Sequence, residues 1–231
     1  MGEKYIWRQA VSLIMKKIHI LVEGQTEETF VKRVFLPYFG DKLYCNPVIA
    51  KTKRVKSGLT FKGGITSYDK VKNDIMRLLQ DNSACIITTM IDYYGFFSIV
   101  PYKDLIQGNT CFDRVASLEN LFQKDINNPR FIPYLQLHEF EALVFVSPEE
   151  IRKVFNNRKK VNEIFEIKKQ FHSTEEINNN PNTIPSKRLS DIFPSYQKTL
   201  HGPLITNRIG LNAIRKECKH FNLWMEKLEN L

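Results

Sequence analysis

The chain is predicted to be an α/β protein, with a mostly parallel central sheet flanked by helices and a basic helical lobe at its C-terminal end. Three observations carry that prediction. Residues 18–22 and 84–91 are near-continuous apolar runs, the pattern of strands buried on both faces. Helical patterns alternate with them, as βα units require. Beyond Pro148 the texture changes to short helices and polar loops. Residues 1–148 are therefore assigned to the α/β core and residues 149–231 to a helical lobe packed on it.

The elements follow in order. Residues 5–15 read as a leading helix or an irregular arm. After the first strand, Thr26 is the expected N-cap of a helix, with Glu27 and Glu28 in its dipole-favoured first turn. Phe30, Val31, Val34 and Phe35 repeat at helical spacing, and Pro37 is expected to stop that helix. A second strand is predicted over 43–50, then a basic, glycine-bearing loop over 51–64. A helix follows over 67–80, with Val71, Ile75, Leu78 and Leu79 facing inward. The strand at 84–91 ends at Asp92. A helix over 114–126 and a strand over 131–135 come next, then His138-Glu139-Phe140-Glu141 and the apolar run 142–146. In the lobe, helices are predicted over 149–155 and 161–171, at the start of PSKRL, and over 215–228, with an asparagine-rich loop at 175–183.

The totals narrow the class. At 231 residues, 42% hydrophobic and 12% aromatic, the chain is a packed globule. Its net charge of +9 divides into +2 over residues 1–150 and +7 over residues 151–231. The basic end is either a polyanion-facing lobe or a solvated lysine-rich surface. Cys45, Cys85, Cys111 and Cys218 form no CxxC pair and no metal-finger spacing, which fits a reducing cytoplasm. No run approaches the ~18 apolar residues of a membrane span, so no membrane association is expected. Walker, dinucleotide GxGxxG and Gly-x-Ser-x-Gly patterns do not occur.

Three predicted strands finish at an acid: Glu23, Asp92 and Glu139. In a parallel sheet their ends share one edge, where ligands of open α/β sheets bind. Strands lie ~5 Å apart, so the three side chains can converge on one ion. Converging carboxylates repel unless a cation neutralises them or one is protonated. Oxygen ligation suits Mg²⁺ or Mn²⁺ and phosphoryl chemistry. Glu27, one turn into the helix after Glu23, is a candidate for a second ion or a water. His138 is open between metal ligand, general acid and a hydrogen bond within the turn. Of Glu139 and Glu141, two residues apart, only one is expected to face the site on a helix, and Glu139 is favoured. Lys187, Arg188 and Lys198 are candidates to hold phosphate or stabilise developing charge. Tyr93 and Tyr94 read as packing ahead of base stacking.

The run ILVEGQTEETFV, the strand-ending MIDYYG, the string LHEFEALVF and the later PSKRL–Y–K segment resemble a bacterial family of unknown function with a Toprim-like fold, over residues 17–224. The wider Toprim group includes topoisomerases, DnaG-type primases and OLD-type nucleases. The resemblance implies a Mg²⁺-binding glutamate at Glu23 and the first aspartate of an Asp-x-Asp pair at Asp92. The second aspartate would fall at Tyr94, so Glu139 or His138 is expected to replace it. The resemblance also implies a partner: an ABC-like ATPase, in an arrangement like phage-defence pairs. The leading expectation is a cytoplasmic Mg²⁺-dependent nuclease acting on DNA or RNA. A non-catalytic ATPase-partner or nucleic-acid-binding module is the alternative, and a phosphatase or nucleotide hydrolase a third.

Overall fold

The computed structural model describes residues 15–51, 65–178 and 183–231. The arm expected before residue 15, the basic loop at 52–64 and the centre of the asparagine-rich loop at 179–182 lie outside the described residues.

The fold is α/β, and its five-stranded sheet is parallel throughout. Strand β1 (Lys16–Val22) is the centre, buried from Ile18 onward. It pairs with β2 (Leu43–Ile49) on one side and β3 (Ala84–Asp92) on the other. Beyond β3 lie β4 (Phe131–Ile132) and β5 (Leu135–Gln136). The single strand expected at 131–135 is thus split. Pro133 has no N–H to donate to a ladder. Thr89 spans the gap: its Oγ1 accepts the Tyr134 N–H at 2.9 Å and donates to the Tyr134 carbonyl at 2.8 Å.

The first crossover begins with α1 (Gln25–Phe30), capped at Gly24 rather than at the expected Thr26. Glu27 supplies the cap, its Oε2 accepting the Gly24 N–H at 2.9 Å. The helix does not stop at Pro37. It passes through a π-helical stretch, Val31–Phe35, into α2 (Leu36–Phe39). Proline stands at the start of that last piece, where a missing N–H costs little.

Helix α3 (Tyr68–Leu78) buries Val71 and Ile75 as expected. Helix α4 (Tyr93–Ile99) starts directly at the end of β3, in a stretch for which no element was expected. Helix α5 (Cys111–Ile126) begins three residues earlier than expected, because Thr110 and Asp113 form a reciprocal capping box. Residues Phe140–Val146 form a fully buried 3₁₀ helix. The lobe contributes α6 (Pro148–Phe155), α7 (Arg158–Lys169), α8 (Pro185–Ile192), α9 (Lys198–Ile209), α10 (Leu211–Glu217) and α11 (Lys219–Glu229). The pattern over 198–209 gave no helix, since Gly202 and Pro203 interrupt it. The helix expected over 215–228 is two, divided at Cys218.

These elements make three layers. Helices α3, α4 and α5 cover one face of the sheet around Ile87, Ile91, Phe96, Phe122 and Phe131. The other face packs against α1 and the C-terminal helices. There Trp224 stacks on Tyr134, 4.1 Å between ring centroids, and donates from Nε1 to Thr88 Oγ1 at 2.9 Å. Helices of residues 149–231 close one side of the core. The four cysteines are free. Among the described residues no helix is long and apolar enough to cross a membrane.

Candidate functional site: an acid cluster closed by a lysine

Parallel pairing puts the end of every strand on one edge, and register decides which side chains meet there. Val22 pairs with Met90, so Glu23 and Asp92 leave adjacent strands almost level. Glu23 Oε2 accepts the Asp92 N–H at 3.2 Å. Asp92 also stands opposite Gln136 of β5, which brings the 138–141 segment beside it. Asp92 Oδ1 accepts the Phe140 N–H at 2.9 Å.

Four of the sequence-derived candidates, Glu23, Glu27, Asp92 and Lys198, gather at this edge. Lys198 is the first residue of α9. Its Nζ lies 3.4 Å from Asp92 Oδ2 and 3.2 Å from Glu141 Oε2. Helix α9 comes this close because Gly202, one turn on, lies against α1: a Cβ there would stand 3.1 Å from Phe140 Cε1 and 3.4 Å from Thr26 Cγ2.

Glu141, the less favoured of the 139–141 pair, is fully buried in the cluster. The angular argument that set it aside assumed one continuous helix. Glu139 is instead the extended residue before the 3₁₀ turn, so the two carboxylates are free to take different directions. Glu139 Oε2 accepts the Ser186 N–H at 2.9 Å, at the N-terminus of α8. Its charge still reaches Asp92 and Lys198. Tyr196, the tyrosine of the PSKRL–Y–K segment, to which the sequence reading gave no site role, donates its hydroxyl to Glu141 Oε1 at 3.1 Å.

The other candidates stand elsewhere. His138 takes a left-handed backbone conformation, φ 61°, and its Nε2 is buried without a partner. Burial, followed by the positive charge of Arg114, lowers its pKa to about 4, so the ring is neutral. Its carbonyl accepts the Tyr94 N–H at 3.4 Å, tying the turn to α4. Lys187 pairs with Asp191 one turn along α8, 2.9 Å apart. Arg188 donates to the Thr183 carbonyl at 2.6 Å and lies over the Phe171 ring. Tyr93 packs against Phe97 with the rings tilted, 5.7 Å between centroids, while Tyr94 is 44% exposed.

Electrostatics follow from this crowding. Burial, then the charges of Asp92 and Glu27, raise Glu23 to about 8. Glu27 and Glu141 are raised to about 7, in each case chiefly by burial. Asp92 is also raised, by burial and by Glu139, against the pull of Lys198. Burial alone would lower the Lys198 ammonium, but Asp92, Glu141, Glu27 and Glu139 together hold it well above its ordinary value. Fully ionised, these acids would carry more negative charge than one ammonium balances, so the edge favours keeping protons on some of them.

A donor set of carboxylate oxygens suits a hard divalent cation. As the side chains stand, no group of three His, Cys, Asp or Glu residues encloses an ion among the described residues. The oxygen donor set is chemically suited to such a cation, and in the present arrangement the Lys198 ammonium is the charge that faces it.

Neither the curated proteins nor the solved structures gave a match to the chain. One family model spans residues 22–229, the whole of the sheet edge just described together with the helices that close it, and the chain belongs to that family, described as a domain of unknown function (DUF4276).

Proposed function

We propose that the protein is a Mg²⁺- or Mn²⁺-dependent phosphodiesterase, a Toprim-related nuclease acting on DNA or RNA. The observation that carries this reading is the meeting of Glu23, Glu27, Asp92 and Glu141 with Lys198 at the carboxyl edge of a parallel sheet. Glu23, Asp92 and Glu141 would hold the ion, with Glu139 available if α8 releases it. When bound, the ion supplies charge neutralisation and an activated water.

The chain's own residues have separable tasks. The Lys198 ammonium attracts a phosphate oxygen and stabilises charge developing there. Glu27, fixed by the Gly24 N–H, keeps a carboxylate aimed into the site without moving. Glu23 holds a proton at neutral pH while its neighbours are unbalanced, and gives it up when positive charge arrives. The basic C-terminal third, +7 over residues 151–231, favours a polyanionic substrate. Cooperation with an ABC-like ATPase in phage defence belongs to the same proposal and rests on the sequence resemblance.

Glu23→Gln should lower metal-dependent cleavage of single- and double-stranded DNA and RNA at least about 100-fold, the scale of losing a charge-stabilising group. Cleavage that survives the substitution would refute the proposal. A second reading, a non-catalytic partner or nucleic-acid-binding module, is favoured by Tyr94, exposed where a second aspartate is expected, and by an ammonium already on the acids. Wild-type protein that binds nucleic acid but cleaves none with either metal would establish it.

A further inference from the structure

We infer that Lys198 is a tethered cation that holds the acid cluster in place of a divalent ion, and that the incoming ion displaces it; this rests on the metal-dependent reading above. The lysine bridges acids from two different segments, Asp92 at the end of β3 and Glu141 in the 3₁₀ turn. Neither contact is tight. Charge-assisted bonds to carboxylates run at about 2.7–2.9 Å, whereas these are 3.4 and 3.2 Å. Glu141 Oε2 is buried and has no aligned hydrogen bond, although the ammonium is near it. The ammonium therefore gives Asp92 Oδ2 only a long hydrogen bond, 3.4 Å, and leaves Glu141 Oε2 without an aligned one, so a better-fitting cation can compete for both oxygens.

Its place in the helix points the same way. A cation in the first turn of α9 opposes the helix dipole, so the position costs the helix stability. Gly202 nevertheless lets α9 close on α1 and carry that residue to the acids. The side chain is 39% exposed, on a flexible four-carbon stem that gives it a way out to solvent. Asp92 and Glu141 cannot serve the ammonium and a divalent ion at full strength together, because two cations on the same oxygens repel. The two states differ in function. With the lysine inward the cluster is closed. With the ion in place the ammonium is freed at the mouth of the site, where a substrate phosphate would meet it. The order is then metal first, polymer second.

The test is calorimetric titration of Mn²⁺ into the full-length protein, into Lys198→Met and Lys198→Gln, and into Lys169→Met as a control for net charge. A Mn²⁺-soaked crystal of the unmodified protein completes it. Both Lys198 variants should bind Mn²⁺ at least about tenfold more tightly, the effect of removing a competing ion pair, and the control should match wild type. In the soaked crystal Nζ should lie beyond about 4 Å, the ion-pair limit, from both carboxylates. Unchanged or weaker binding in the Lys198 variants overturns the inference, as does a bound ion with Nζ still on both acids. The crystal arm remains decisive if the variants fail to fold. Absence of Mn²⁺ binding in every protein removes the metal reading and this inference with it. Binding by wild type, unaltered in the variants, removes only the inference.

Discussion

Glu141 is the residue whose reading changed most between sequence and structure. The two acids at 139 and 141 look equivalent in the string HEFE, and nothing in it shows that one precedes a 3₁₀ turn and the other lies within it. Burial separates them: Glu141 is enclosed with Lys198, while Glu139 is bonded to the first turn of α8. Glu141→Gln should therefore weaken Mn²⁺ binding more than Glu139→Gln does, by about tenfold or more for loss of one charged ligand contact; equal effects would argue that α8 releases Glu139 on metal binding. The strand-end acids themselves were legible, because Glu23 and Asp92 each terminate an uninterrupted apolar run. Lys198 was legible as a candidate to hold phosphate or stabilise developing charge, but not as the cation lying on these acids. Its role depends on contacts with residues 57 and 106 positions away, which no local pattern encodes.

Among the elements, α9 is the one the sequence hid. Gly202 and Pro203 break its periodicity, yet the glycine is what allows close packing against Thr26 and Phe140. Gly202→Ala would place a methyl group 3.1 Å from the Phe140 ring, so the ring or α9 must shift by a few tenths of an ångström. A cost of about 1–3 kcal/mol is expected, the range for overpacking a tight contact, and activity should fall further than stability because Lys198 rides on the same helix. Chemical denaturation and cleavage assays on one preparation separate the two effects; activity falling only in step with the folded fraction would contradict this role for α9. The opposite case is α3, whose amphipathic pattern was visible in the sequence and whose Val71 and Ile75 are buried. The split of β4 from β5 is intermediate: Pro133 was visible, but the Thr89 bridge that keeps the line of strands continuous was not.

At the scale of the molecule, the parallel sheet, its acid edge and a C-terminal lobe packed on the core were legible from apolar runs and their endings, whereas which sheet face α9–α11 close was not. That closure matters for stability. Trp224 is buried against Tyr134 and Phe221 and bonded to Thr88, so Trp224→Ala should cost about 3–5 kcal/mol, the range for removing a large core aromatic; a loss under about 1 kcal/mol by denaturant titration would mean that the lobe contributes little to the core. The acid edge should also make the metal-free protein pH-sensitive. Glu23 rises from an ordinary 4.5 to about 8 on folding. A raised carboxyl binds its proton more tightly in the folded state, so its contribution is complete below 4.5 and is lost as pH climbs through 8. His138, neutral when folded, is half protonated in the unfolded chain at its ordinary 6.5, so it opposes this fall only at the low end of the window. Between pH 6.5 and 8.5 the melting temperature should therefore fall by several degrees without metal, and Glu23→Gln should flatten that fall; a rise over this window would contradict the electrostatic account. The central claim is that this edge is a divalent-cation site, and it is tested most directly by calorimetric titration of Mn²⁺ into wild-type protein and Glu23→Gln. The account predicts saturable binding by the wild type at millimolar concentration or below, reduced at least about tenfold in the variant. No binding by the wild type, or equal binding by both, would contradict it.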